Sequence, residues 1–171
     1  MFSAKNLSQH YHVRHLTEED LDALYQLCAS QPDYYQYLGK PLSRKALLRD
    51  LTALPPAAQA ENKHYLGYFD GETLCSVLEL VFAYPDEQCV LLGFFMLHHD
   101  LQGQGIGSRL IGDLLEQCRT LGYQEILLSY AEPNRQSEHF WLKQGFTPTG
   151  DVDDDGVCLI AMSKWLTSES R

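Results

Sequence analysis

The chain is short of positive charge. Its 171 residues carry 13 Lys and Arg against 23 Asp and Glu, a formal net charge of −10. That deficit argues against nucleic acid or an anionic membrane surface as a partner, because both are held by basic patches. It suits a cationic substrate, although acidity also serves solubility alone. A long apolar run is missing too: nothing approaches the roughly 20 residues that a membrane span needs. The start, MFSAKNLSQHYHV, has no apolar stretch of the signal-peptide kind. A cytoplasmic protein is expected. No C-x-x-C pair occurs among Cys28, Cys75, Cys89, Cys118 and Cys158. These cysteines are odd in number and mostly set among apolar residues, so they read as reduced, buried, small hydrophobes. No repeat, low-complexity segment or linker divides the chain. One domain over residues 1–171 is expected, long enough for a substantial core.

What is present is regular patterning. YHVRHL, from Tyr11 to Leu16, reads as a short strand. Thr17 with Asp20 resembles a capping box, and Leu21, Leu24, Leu27 and Cys28 follow at helical spacing until Gln31-Pro32. SRKALLRDLTALPP predicts a second helix, capped by Ser43, stapled by Leu42 on Leu47 and stopped by Pro55-Pro56. HYLGYFD, TLCSVLELVFAY and CVLLGFFML then read as three strands joined by short turns, an antiparallel meander. The last of them, Cys89 to Leu97, is continuously apolar and is expected at the centre of a sheet. Ile106, Leu110, Ile111, Leu114, Leu115, Cys118 and Leu121 trace one helix face that ends at Gly122. EILLSY is the next strand. It is reached through a helix and should run parallel to Cys89–Leu97. SEHFWLKQGF is a short helix, and the acidic DVDDDG reads as a solvated hairpin loop between two final strands. The order is β-α-α-β-β-β-α-β-α-β-β. This is an α/β (α+β) domain on a mixed central sheet of about seven strands.

Between the buried strand and the strongest helix stands LQGQGIGSRL, with Gly103, Gly105 and Gly107 at every second position. A helix N-terminus offers unpaired N–H groups and a positive dipole end, and glycines let a phosphate approach the backbone. A flexible turn is the plain alternative, but three glycines in this setting exceed what a turn requires. A dinucleotide fingerprint wants G-x-G-x-x-G, and here the last glycine is misplaced. The acidic residue about 20 positions on, Glu125, begins a strand instead of ending one. A Walker P-loop, G-x-x-x-x-G-K-[ST], is absent.

QGQGIG does fit Q/R-x-x-G-x-G/A through Gln102, Gly105 and Gly107. This resembles the acetyl-CoA-binding signature of the GNAT superfamily of N-acetyltransferases. YAEPNRQSEHFWLKQGF is similar to the same family's N-x-x-A-x-x-x-Y-x-x-x-G-F segment, and the element order agrees with its fold from Tyr11 to Leu166. The resemblance implies acetyl-CoA as cosubstrate, an amine acceptor and no metal. In such proteins the signature's N–H groups hold the CoA pyrophosphate, which maps onto Gln102, Gly103, Gln104, Gly105, Ile106, Gly107 and Ser108. Pantetheine lies where the preceding strand splays from its parallel neighbour, here around Met96 and Leu97. The Leu97 N–H falls to the thioester carbonyl and Asn134 to the pantetheine arm. The family often dimerises, so a homodimer is an option.

The resemblance also frames the chemistry. An alkylammonium has a pKa near ~10.4 and no nucleophilic lone pair at neutral pH, so a base or water chain must take its proton. Glu79, inside the otherwise apolar SVLELVF, is the candidate, because desolvation raises a carboxyl pKa. The opposing reading has Glu79 facing solvent on one side of an edge-like strand, or paired with a nearby Arg. Glu132 is the second choice. The family's tyrosine acid should stand at position 141, where this chain has Trp141, and Ser137 replaces the usual alanine. An indole N–H is no practical proton donor. Tyr130 or solvent would then have to protonate the thiolate. A second reading is therefore a non-catalytic acyl-CoA-binding sensor, and a weaker third is a nucleotide-dependent oxidoreductase. His10, His12 and His15 lack a matching Cys or carboxylate for a metal site. At most one of His98 and His99 can enter the site, while Tyr34, Tyr35 and Tyr37 fall where the family often borders its acceptor.

Overall fold

A computed structural model describes residues 1–154 and 156–167. Seven strands form one sheet in the order β1-β2-β3-β4-β5-β7-β6. They are β1 (His12–His15), β2 (Lys63–Asp70), β3 (Thr73–Phe82), β4 (Cys89–Leu97), β5 (Glu125–Ala131), β6 (Thr147–Asp154) and β7 (Val157–Trp165). The expected meander is present, since β2, β3 and β4 pair antiparallel in sequence. So is the expected parallel pair, β4 with β5. Five α-helices among the described residues complete the fold: α1 (Leu21–Ala29), α2 (Pro32–Leu38), α3 (Arg44–Asp50), α4 (Ile106–Thr120) and α5 (Arg135–Lys143).

Alternation along the strands divides the core. Leu66, Leu78, Leu80, Leu92 and Leu97 pack on one face with Leu110, Ile111 and Leu114 of α4 and Trp141 of α5. Tyr65, Val77 and Met96 pack on the other with Leu24, Leu27 and Cys28 of α1 and Leu47 of α3. Cys28, Cys75, Cys89 and Cys118 are buried, as small hydrophobes should be.

Three local readings need correction. Pro32 does not merely stop the first helix; it opens α2 from its first turn, where its missing N–H costs nothing. α3 ends at Asp50, well before the prolines. Lys63 covers its end, with the ammonium donating to the carbonyls of Asp50 and Ala53. Finally, the acidic run is strand up to Asp154, with only Gly156 in the described part of the turn.

β4 positions the site. It stays beside β5 for three residue pairs, Cys89–Glu125, Val90–Ile126 and Leu91–Leu127. Across β3, Glu79 faces Phe94 and Leu80 faces Leu92, so Gly93 is an extra residue. That β-bulge bends the strand where the two parallel neighbours part.

Candidate active site

The parted strands open a cleft of about 690 Å³, within the range that holds a small-molecule ligand. Its walls come from the end of β4, the glycine loop, the first turn of α4, one side of α5, and the junction of α1 with α2. Of the expected ligand-binding residues, Met96, Leu97, Gln102, Gly103, Gly105, Gly107, Ser108, Asn134 and Trp141 line it. Gln104 and Ile106 do not. Gln104 folds back to donate to the Asp100 carbonyl at 3.0 Å, and Ile106 packs on the core. Those two can offer only backbone.

The three glycines do two different jobs. Gly103 and Gly105 have φ of +73° and +78°, a left-handed backbone that disfavours side chains, and a Cβ at either would meet only open space. Gly105 is the N-cap of α4, so the loop delivers unpaired N–H groups and the positive dipole end to the cleft. Gly107 is a packing glycine: a Cβ there would stand 3.2 Å from Phe140.

The phase of the β3–β4 ladder decides which backbone groups face the gap. The His98 N–H donates to the Cys75 carbonyl at 2.9 Å, which makes Ser76 and Leu97 a non-hydrogen-bonded pair. Leu97 therefore turns both its N–H and its carbonyl away from β3. Met96 does the reverse and engages Val77. The Leu97 carbonyl accepts from Gln31 Nε2 at 2.7 Å and Gln102 Nε2 at 3.3 Å. Its N–H has no partner among the described residues.

On the far wall, Asn134 caps α5, its Oδ1 accepting the Ser137 N–H at 3.1 Å. That leaves its amide as a donor. Trp141 is buried and meets Phe95, Phe140 and Phe146 edge-on, at centroid distances of 6.0, 4.8 and 5.3 Å. The position expected for an acid is thus an aromatic wall.

Glu79 lies outside the cleft lining. Its Oε1 accepts from Lys63 Nζ at 2.6 Å, with side-chain exposures of only 18 % and 5 %. The pairing reading was right in kind, although the partner is lysine. Burial pushes the carboxyl above the usual carboxylate range, and the hydrogen bond and charge of Lys63 pull the other way. Oε2 packs on Gly93, where a Cβ would come within 3.0 Å, and Gly93 itself is exposed.

The other candidates separate cleanly. Glu132 is exposed and off the cleft. Tyr130 is buried beside Glu138, also off the cleft, and burial raises its pKa. Tyr34 and Tyr37 line the cleft, whereas Tyr35 turns to Cys28. His99 lines it and His98 does not. His15 is engaged by His64, ring nitrogen to ring nitrogen at 2.8 Å, and burial lowers His64 to about 4. Sequence reading missed Gln31, which reaches β4 across 66 residues with no local signal. It also missed Lys63, which looks like an ordinary residue at a strand's edge.

The chain matches the model of the acetyltransferase (GNAT) family over residues 17–146. Its fold is similar to that of an acetyltransferase from Thermus thermophilus, at 21% identity and a TM-score of 0.71, with 91% of this chain and 96% of that one covered. It is similar to the PaiA N-acetyltransferase from Thermoplasma acidophilum in complex with coenzyme A, at 21% identity and a TM-score of 0.62, covering 88% and 97%. A third likeness is the acetyl transferase from Salmonella typhimurium that modifies the N-terminal serine of 50S ribosomal subunit protein L7/L12, at 18% identity and a TM-score of 0.72, covering 93% and 96%. At such identities these likenesses speak for the fold alone. No curated relative matches. No helix among the described residues is long and apolar enough to cross a membrane.

Proposed function

The chain belongs to the acetyltransferase (GNAT) family, and from that premise we propose that it moves an acetyl group from acetyl-CoA to a primary amine by direct attack in a ternary complex. The observation that carries this reading is one cleft holding both an unpaired strand N–H, at Leu97, and a glycine-opened helix N-terminus, at α4. A pyrophosphate takes the N–H groups from Gln102 to Ser108. The pantetheine arm follows the open edge of β4 at Met96 and Leu97, using mainly the Leu97 groups, and meets the Asn134 amide. Trp141 walls the arm. The thioester carbonyl oxygen accepts from Leu97, which stabilises the negative charge that develops there.

Chemically, the amine nitrogen forms a C–N bond to the acetyl carbon and the C–S bond breaks. One proton must leave the ammonium before attack and a second leaves the nitrogen afterwards. Glu79 takes the first proton through water that reaches Oε2 past the exposed Gly93, since the carboxylate does not itself line the cleft, and the second passes to solvent. With Trp141 at the acid position, solvent protonates the departing thiolate; thiols ionise near ~8.5, so this anion leaves readily without help. The acceptor is a small molecule, a peptide N-terminus or a lysine.

The test is a thermal-shift panel of acetyl-CoA, CoA, NAD and ATP, followed by CoA-thiol release with an amine library. Stabilisation by the CoA compounds and release with at least one amine class is expected. Stabilisation by NAD alone would contradict the reading. CoA binding without release across the library would point to a sensor.

A further inference from the structure

From Met96 to His99 the backbone has every polar group engaged except one. Met96 exchanges ladder bonds with Val77, and its carbonyl also accepts from Ser76 Oγ at 2.8 Å. The Leu97 carbonyl takes Gln31 and Gln102. The His98 N–H donates to Cys75 and the His98 carbonyl accepts from Leu101, both at 2.9 Å. The His99 N–H donates to Ser30 Oγ, and the His99 carbonyl accepts from Gln102, each at 3.2 Å. Only the Leu97 N–H is left, and it faces the cleft.

Two of these contacts bear directly on that group. Ser76 is fully buried, yet its hydroxyl is spent on a carbonyl that the ladder already satisfies. That carbonyl belongs to the same peptide unit as the Leu97 N–H. A hydrogen bond accepted at one end of a peptide polarises it and strengthens donation at the other. Gln31 fixes the next peptide plane from the opposite side, at a strand end that β5 no longer supports. We infer that Ser76 and Gln31 are positioning residues that aim and polarise the Leu97 N–H toward the carbonyl of an acyl thioester. This rests on the acetyl-CoA reading above.

The experiment is isotope-edited infrared difference spectroscopy of bound acetyl-CoA carrying a 13C=O acetyl group, with Kd for acetyl-CoA and CoA measured in parallel. Wild type should lower the carbonyl frequency and prefer acetyl-CoA over CoA. Ser76→Ala leaves the Met96 carbonyl its ladder partner, so no buried group is orphaned. It should shrink the frequency shift, bring the two Kd values together and lower kcat by about tenfold, a part of what losing a whole donor costs. Ser76→Thr, which keeps the hydroxyl, should restore the shift. Gln31→Leu should act in the same direction from the other side and serves if the serine variants fold poorly. An unchanged carbonyl shift and Kd ratio in Ser76→Ala and Gln31→Leu, with only Tm lowered, would overturn the inference and leave both residues structural. Failure of wild type to bind acetyl-CoA would instead overturn the reading beneath it.

Discussion

On the α4 side of the cleft the polar groups belong to the backbone. They are the loop N–H groups around Gly103 and Gly105 and the Leu97 N–H, backed by Leu110, Ile111 and Leu114. On the α1–α3 face of the sheet, where only Tyr34 of the groups that follow lines the cleft, they belong to side chains. Lys63 and Glu79 pair at 2.6 Å, and the hydroxyls of Tyr34, Tyr35 and Tyr65 crowd with the Cys28 thiol. Burial pushes that thiol up to about 11 and all three tyrosines well above their usual range. A backbone wall is indifferent to most side-chain changes and vulnerable where a side chain obstructs it. A side-chain wall depends on each partner.

The sharpest way to break this contrast is to put a side chain into the backbone wall. Gly105→Asp places a carboxylate where the structure leaves open space, at a φ of +78° that Asp tolerates better than most residues. Acetyl-CoA affinity by calorimetry should fall by roughly 100-fold or more, because charge repulsion adds to lost approach. The far-ultraviolet spectrum should be unchanged. Unaltered affinity would mean that the loop has another use.

On the opposite face of the sheet, Glu79→Gln should lower kcat by about 100-fold or more, as removal of a general base does, while CoA affinity holds. Wild-type activity should fall as pH drops through the Glu79 pKa, and that acid limb should lie above the ordinary carboxylate range, because burial raises it. A pH–rate profile in Glu79→Gln identical to wild type would remove Glu79 from the chemistry.

Lys63→Met sharpens the same point. It strands a buried carboxylate, at a cost of about 3–5 kcal/mol in chemical denaturation. With the opposing cation gone, the Glu79 pKa rises further. The stability deficit should therefore deepen as pH rises through the carboxyl's range, and the acid limb of activity should move to higher pH. A pH-independent deficit would show that the lysine acts only through its helix-capping bonds to Asp50 and Ala53.

The smallest effect is expected under the backbone wall. Tyr68 is fully buried among the α4-facing residues, and its hydroxyl has no partner among the described residues. Tyr68→Phe should be neutral or stabilising by up to about 1 kcal/mol, since it removes an unsatisfied polar atom. A loss beyond that would reveal a hidden partner.

The same contrast explains what could be read from the sequence. The element order follows from apolar periodicity, and β4 starts and ends where its apolar run does, at Cys89 and Leu97. The loop was legible because left-handed turns and a close helix contact demand glycine, and glycines at fixed spacing are visible in one dimension. α2 was not, because its seven residues bury none of their side chains fully and so leave no apolar stripe. Neither the Lys63–Glu79 pair nor the Gln31 tie to Leu97 leaves a local pattern, because the partners meet only in the folded chain across 16 and 66 residues. Trp141 was visible as a departure, but its place in a cluster with Phe95, Phe140 and Phe146 was not.

The central claim is that β4 and the α4 loop bind the acyl donor through their backbone. The most direct measurement is amide 15N–1H mapping of the protein titrated with acetyl-CoA. The largest shifts are expected at Leu97 and from Gly103 to Ser108, with Leu97 responding more to acetyl-CoA than to CoA. Shifts confined to other parts of the chain, or the same amides responding to NAD but not to CoA compounds, would contradict the account.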